Sequence, residues 1–151
     1  MEARQSIDLR VEHAFEAAKY RVYPETPLTE VVDLMVRRGA RAIPVVGEQY
    51  EVLGIITTGD ALKRVLREGP GEDGDGRDDR EVQTARDVMT RAVLCVSETQ
   101  PLVDAARMMM NRDVEQLPVV RDGQLIGLIT RDAVLSALHG SRDDQDEREQ
   151  D

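Results

Sequence analysis

A stretch of the chain occurs twice, and that repetition limits its possible folds more than any other feature. Pro44 in A-I-P-V-V recurs as Pro118 in Q-L-P-V-V, 74 positions on, and Pro27-Leu28 recurs at the same spacing as Pro101-Leu102. The match extends through Met35 and Met109. Past the second proline the first copy has one extra residue in its turn, so that Gly54 aligns with Gly127 and Thr57 with Thr130. Two copies of about 50 residues call for a pseudo-twofold pair, because a solenoid needs three or more repeats to bury its faces.

Within a copy the order of elements follows from pattern. Arg21 to Tyr23 reads as a short extended piece. Thr26 as N-cap and Pro27 at the first helical position open a helix whose apolar face is Val31, Val32, Met35 and Val36, ending near Gly39. Ala42 to Val46 and Val52 to Ile56 read as a hairpin, with Pro44 tolerated at an edge or strand start, and a helix from about Asp60 to Arg67 follows. The second copy predicts a turn or short helix at 84–89, a strand from Ala92 to Val96 and a helix on Leu102, Ala105, Ala106 and Met109. A hairpin turning at Asp122-Gly123 comes next, then a helix stopped by Gly140.

The expected fold is therefore α/β (α+β): two pseudo-symmetric β-α-β-β-α repeats packed through their sheets, preceded by an amphipathic helix carrying Leu9, Val11, Phe15 and Ala18. Expected boundaries are the N-terminal helix at 1–20, repeat 1 at 21–68, an acidic Gly-rich linker at 69–84, repeat 2 at 85–139 and an acidic disordered tail at 140–151.

Composition narrows function. The 151 residues are 33% charged and 40% hydrophobic, as in a globular protein with polar additions. Most of the net charge of −10 sits between Glu68 and Glu81 and after Ser141. With no basic stripe to release counterions, neither nucleic acid nor an anionic membrane is an expected partner. No apolar run approaches the length of a membrane helix, the N-terminus lacks a signal-peptide core, and Cys95 is single, so a cytoplasmic location is expected. Cys95 in A-V-L-C-V reads as a buried strand residue. The acidic run is no calcium loop, for from Asp73 the fifth position is Arg77 and the twelfth Thr84. His13 and His139 pair with no nucleophile motif, so neither catalytic residues nor a metal site is expected.

The chemistry-bearing stretch is G-I-I-T-T-G-D, from Gly54 to Asp60. A β-branched strand runs into a helix capped by Thr57 or Thr58, whose N-terminal N–H groups suit an anion, and the Asp60 carboxylate can accept hydrogen bonds from two ribose hydroxyls. Threonine and aspartate are also ordinary capping residues at such a position.

The ordered series D-V-M-T, P-L, A-I-P-V-V or Q-L-P-V-V, and G-I-I-T-T-G-D or G-L-I-T-R-D resembles a tandem pair of CBS domains, a Bateman module, from about Arg21 to His139. It is similar to the regulatory parts of IMP dehydrogenase, cystathionine β-synthase and the gamma subunit of AMP-activated kinase. That resemblance implies a non-catalytic regulatory module that takes adenosine-containing ligands (AMP, ADP, ATP, S-adenosylmethionine or an NAD-like compound) in clefts between the copies. It also implies energy sensing, a homodimer and a separate effector protein, with no obligatory cofactor. By the same resemblance one cleft would use Ile55, Thr57 and Asp60 with Ala92, Val93, Val114 and Gln116, where Glu115 stands in a position that can be basic. The other would use Arg41 and Ala42 with Thr130, Arg131 and Asp132, where Ala133 stands in the aspartate position. A dimerising interaction scaffold with empty clefts is the alternative.

Overall fold

The computed structural model describes residues 8–68, 83–91 and 93–150. In chain order these form a 3-10 turn (Val11–His13), β1 (Glu16–Ala17), α1 (Leu28–Arg38), β2 (Ala42–Val46), β3 (Val52–Thr57) and α2 (Thr58–Glu68). Then come α3 (Ala85–Val88), β4 (Val96–Ser97), α4 (Leu102–Arg112), β5 (Gln116–Arg121), β6 (Gln124–Thr130) and α5 (Arg131–Gln150). The acidic linker expected at 69–84 lies mostly outside the described residues.

The chain divides into two compact units, and they do not coincide with the two sequence copies. The first unit is Lys19–Val93; the second joins Met1–Ala18 to Leu94–Asp151. In the first, β2 and β3 form an antiparallel hairpin under α1 and α2. In the second, the strand order is β1-β6-β5-β4, with β1 antiparallel to β6 and β4 parallel to β5. Both hairpins shift register at the same place, Val45/Val46 and Val119/Val120.

Burial follows the repeat position for position. Val22, Leu28, Val31, Met35, Ile43, Val45, Ile56 and Ala61 form the first core, and their counterparts Val96, Leu102, Ala105, Met109, Leu117, Val119, Ile129 and Val134 the second. One member of each core comes from elsewhere in the chain: Ala85 completes the first and Val11 the second, both fully buried and again 74 apart. The backbone bonds around them match. The N–H of Leu28 donates to Gln83 O and that of Leu102 to Leu9 O, each at 2.8 Å, while Pro27 bridges to Thr84 and Arg10 to Pro101.

This corrects the reading of the N-terminus. The segment is not an amphipathic helix over its described part but a 3-10 turn followed by a strand laid along β6, the counterpart of residues 83–90. Val11 and Phe15 are apolar because they face the second core, and Gly127 has no side chain because the Glu16 carbonyl and the Phe15 ring occupy that space.

Three smaller differences have local causes. Helix α1 begins at Leu28, with Pro27 extended at φ −61°, ψ 142° as N-cap, and Thr26 Oγ1 instead accepts the Tyr23 N–H at 3.0 Å. Pro101 repeats that geometry. In the Ala92 to Val96 stretch, Ala92 lies outside the described residues and only Val96–Ser97 is strand, since only there does the chain run beside Val119 and Val120. Gly140 does not stop α5, which continues to Gln150 instead of becoming a disordered tail. Glycine in a helix costs only about 1 kcal/mol relative to alanine, and the Arg, Gln and Glu residues that follow are good helix formers.

Pro44 is accommodated because of its parity. The Pro44 carbonyl accepts the Val22 N–H at 3.0 Å and the Val46 N–H donates to Val22 O at 2.9 Å, so even positions of β2 face Val22. The missing N–H therefore removes no bond from the β2–β3 ladder.

Candidate functional site

The first unit's site is the junction of β3 and α2. Ile55 and Ile56 are buried, which fixes the strand, and the chain turns out of the sheet at Thr57. The N–H of Asp60 donates to Thr57 Oγ1 at 3.1 Å, and the N–H of Thr57 donates to Asp60 Oδ2 at 3.0 Å. This reciprocal box satisfies two end groups that the helix leaves unpaired. Asp60 is half-buried and Thr57 exposed. Among the described residues Asp60 Oδ1 accepts no hydrogen bond.

A residue outside the expected set reaches the same carboxylate. Thr90 Oγ1 donates to Asp60 Oδ2 at 3.4 Å, and the Thr90 backbone exchanges two bonds with Ile55, at 2.9 and 3.1 Å. A Cβ on Gly54 would lie 2.8 Å from the Thr90 carbonyl and 2.7 Å from Met89 Sδ, so the bare backbone at Gly54 is what lets residues 89 and 90 lie against β3. The D-V-M-T signature contained this threonine, but spacing alone does not show that it folds back onto the preceding copy.

Arg41 and Ala42 belong to the same corner. Ala42 is the register partner of Thr57, and the Arg41 carbonyl accepts the Thr58 N–H at 3.0 Å. Arg41 is exposed and its guanidinium makes no ion pair among the described residues. Val93 is half-buried, and Ala92 lies outside the described residues.

The second unit's junction is built differently. Thr130 Oγ1 accepts the Ala133 N–H at 3.0 Å, but with alanine in the aspartate position no carboxylate returns the bond. Gln116 faces Thr130 in register, and the Glu115 carbonyl accepts the Arg131 N–H at 3.1 Å. The Arg131 side chain donates from Nε to Val114 O at 3.0 Å and from Nη2 to Met109 O and Asp113 Oδ1, both at 3.3 Å. That guanidinium is therefore engaged by the end of α4. Asp132 is exposed and Val114 half-buried against the second core. Each expected cleft drew residues from both units. Ile55, Thr57 and Asp60 come together within the first, as do Val114, Gln116, Thr130 and Arg131 within the second.

Other chemistry is sparse. Burial pushes the Cys95 thiol up from its ordinary value, the opposite of what a nucleophile needs. Among the described residues no cluster of three or more His, Cys, Asp or Glu is placed to hold a metal, and no helix is long and apolar enough to cross a membrane.

Comparison with known proteins then decides the family, for the CBS domain model matches residues 19–67 and 85–140. The chain belongs to the CBS domain family. It carries the domain in tandem, as a Bateman module. This CBS protein is 32% identical over 124 residues to an uncharacterized protein of Methanopyrus kandleri, covering 80% of this chain and 59% of that one. It is 30% identical over 135 residues to the chloroplastic CBS domain-containing protein CBSX1 of Arabidopsis thaliana, covering 77% and 57%. The chain thus spans somewhat more than half the length of these relatives. Among solved structures, CBSX2 in complex with AMP aligns with a TM-score of 0.75 and 26% identity over 88% of this chain and 98% of that one. A CBS domain pair in complex with 5′-methylthioadenosine and S-adenosyl-L-methionine shares the fold at a TM-score of 0.72 and 21% identity.

Proposed function

We propose that this CBS protein is a non-catalytic regulatory module that binds an adenosine-containing ligand, AMP first among the candidates, and passes its occupancy to a separate effector protein. The observation that carries the reading is the Thr57/Asp60 box, which holds a half-exposed carboxylate rigidly with one oxygen available. Such a group suits the paired hydroxyls of a ribose, because hydrogen bonds to a charged acceptor are worth about twice those between neutral groups. The likeness to a protein solved with AMP supports the ligand class. Arg41, at the neighbouring strand start, is the residue we assign to a phosphate. The second junction lacks the carboxylate and its arginine is engaged elsewhere, so the first junction is the site we favour.

Calorimetry with AMP tests this. Asp60→Ala is expected to weaken binding by about 1–3 kcal/mol, a loss of about fivefold to 150-fold. Unchanged affinity in Asp60→Ala would remove the ligand from this junction. No heat from AMP, S-adenosylmethionine or NAD with the wild type would leave the scaffold reading.

We also propose a homodimer. Val36 is 76% exposed and its counterpart Met110 66%; Leu62 is 58% exposed and its counterpart Leu135 69%. Large apolar side chains left uncovered at equivalent places in both repeats are what a self-complementary interface would use. Sedimentation showing only monomer at micromolar concentration would refute it.

A further inference from the structure

The lead-in segment of the second sequence copy, residues 83–91, is fastened to the rest of the first unit at both ends, and one fastening is the carboxylate assigned to the ligand. At its start, Arg64 of α2 donates to Gln83 Oε1, and its Nη2 donates to Asp87 O at 2.9 Å. The N–H groups of Ala85 and Arg86 donate to Thr26 O and Pro24 O at 2.8 and 3.0 Å, and Arg86 pairs with Glu25 at 3.0 Å. At its end, Thr90 is held by the Ile55 backbone and reaches Asp60 Oδ2 with its hydroxyl. Beyond it the chain runs on into the second unit.

We propose that this segment is a latch that reports occupancy of the site: Thr90 orients the Asp60 carboxylate for the ligand, and the bound ligand in turn tightens the segment on β3. The inference rests on the reading that the Thr57/Asp60 junction takes a nucleoside. At 3.4 Å the Thr90–Asp60 bond is longer than the usual O–H···O bond, and Thr57 N–H shares the same oxygen. A diol on Oδ1 fixes the carboxylate plane and with it the acceptor that Thr90 uses. Linkage makes the effect reciprocal: whatever factor Thr90 contributes to ligand affinity, the ligand contributes to docking of the segment.

The device belongs to one unit only. In the other, the residue in the place of Thr90 is Glu16, which pairs with Leu128 as Thr90 does with Ile55, and the residue in the place of Asp60 is Ala133. A carboxylate and a methyl group cannot form the same bond.

The test combines hydrogen exchange with AMP calorimetry on the full chain. In the wild type AMP should slow exchange of the Ile55 and Thr90 amides several-fold. Thr90→Val keeps the β-branched shape and both backbone bonds but loses the hydroxyl. It should bind AMP at least about fivefold more weakly, because the carboxylate loses a hydroxyl donor, and show no AMP-dependent slowing. Thr90→Ser should restore both, which a purely packing role for the residue would not do. Heat from AMP without any change in exchange over 83–91, or wild-type behaviour in Thr90→Val, overturns the latch alone. No heat from any adenosine compound overturns the site and the latch together.

Discussion

Arg121, at the end of β5, grips Glu98 in the loop before α4 with two donors, Nε on one carboxylate oxygen and Nη2 on the other at 2.9 Å. The hydrogen bond from Arg121 holds the Glu98 carboxyl below its ordinary value of 4.5. A carboxylate whose native value is depressed stabilises the fold above its unfolded value, and that contribution fades as pH falls towards the native one. Wild type should therefore melt slightly above Glu98→Gln at about pH 7, with the gap closing as pH falls below the ordinary carboxyl value of 4.5. The effect is small because the Arg121 partner is exposed to solvent. Melting curves of the two proteins across that range check it, and a gap that widens in acid would be the wrong sign.

Gly127→Ala should release the N-terminal segment from β6. The added methyl group would meet the Glu16 carbonyl and the Phe15 ring, and the carbonyl belongs to backbone that cannot swing aside. Overpacking of this kind costs about 1–3 kcal/mol, measurable by urea unfolding. Val11→Ala should cost a similar amount, about 1.5–3 kcal/mol, because Val11 is fully buried in the second core. A cost near zero for both would mean that the segment contributes nothing to the second unit.

Arg131→Ala should lower stability by about 1–3 kcal/mol, because its guanidinium serves the carbonyls of Met109 and Val114, and should leave AMP affinity unchanged. Calorimetry and denaturant unfolding on the same protein separate these effects. Lost affinity with intact stability would return Arg131 to the ligand.

Asp113→Gly should stabilise. Asp113 ends α4 in the left-handed region at φ 56°, as Gly39 ends α1 at φ 71°. Glycine adopts that conformation without the Cβ penalty, a gain of about 0.5–1 kcal/mol. The ion pair lost with Arg131 spans 3.3 Å, and the aspartate side chain in it is 97% exposed. Such a pair is too well solvated to reverse the sign. A lower midpoint in urea would show that it does.

The hairpins, the amphipathic helices α1 and α4 and the Thr57/Asp60 junction were legible in the sequence because each depends on neighbours a few residues apart. Proline, glycine and β-branched residues act through local backbone geometry, and the 3.6-residue period of Leu28, Val31 and Met35 needs no partner to be seen. The N-terminal segment was not legible. Aligned at the same offset, Arg10 to Glu16 shares no residue with Thr84 to Thr90, although Val11 and Ala85 fill equivalent core places. What the two segments have in common is a backbone path, which the alternation of Val11 and Phe15 with charges mimics as a helix. The roles of Thr90 and Arg131 were hidden for a related reason, since each acts on a group supplied by a distant part of the chain: Asp60 for Thr90, and the end of α4 for Arg131.

Because Glu16 and Leu128 are strand partners, the ribosome makes one side of β1's pairing long before the other. At usual elongation rates of about 5–20 residues per second, the N-terminal segment waits roughly ten seconds for β6, while the Lys19–Val93 unit is complete and free to fold in the interval. Throughout that interval Leu9, Val11 and Phe15 lack the core of the second unit against which they finally pack.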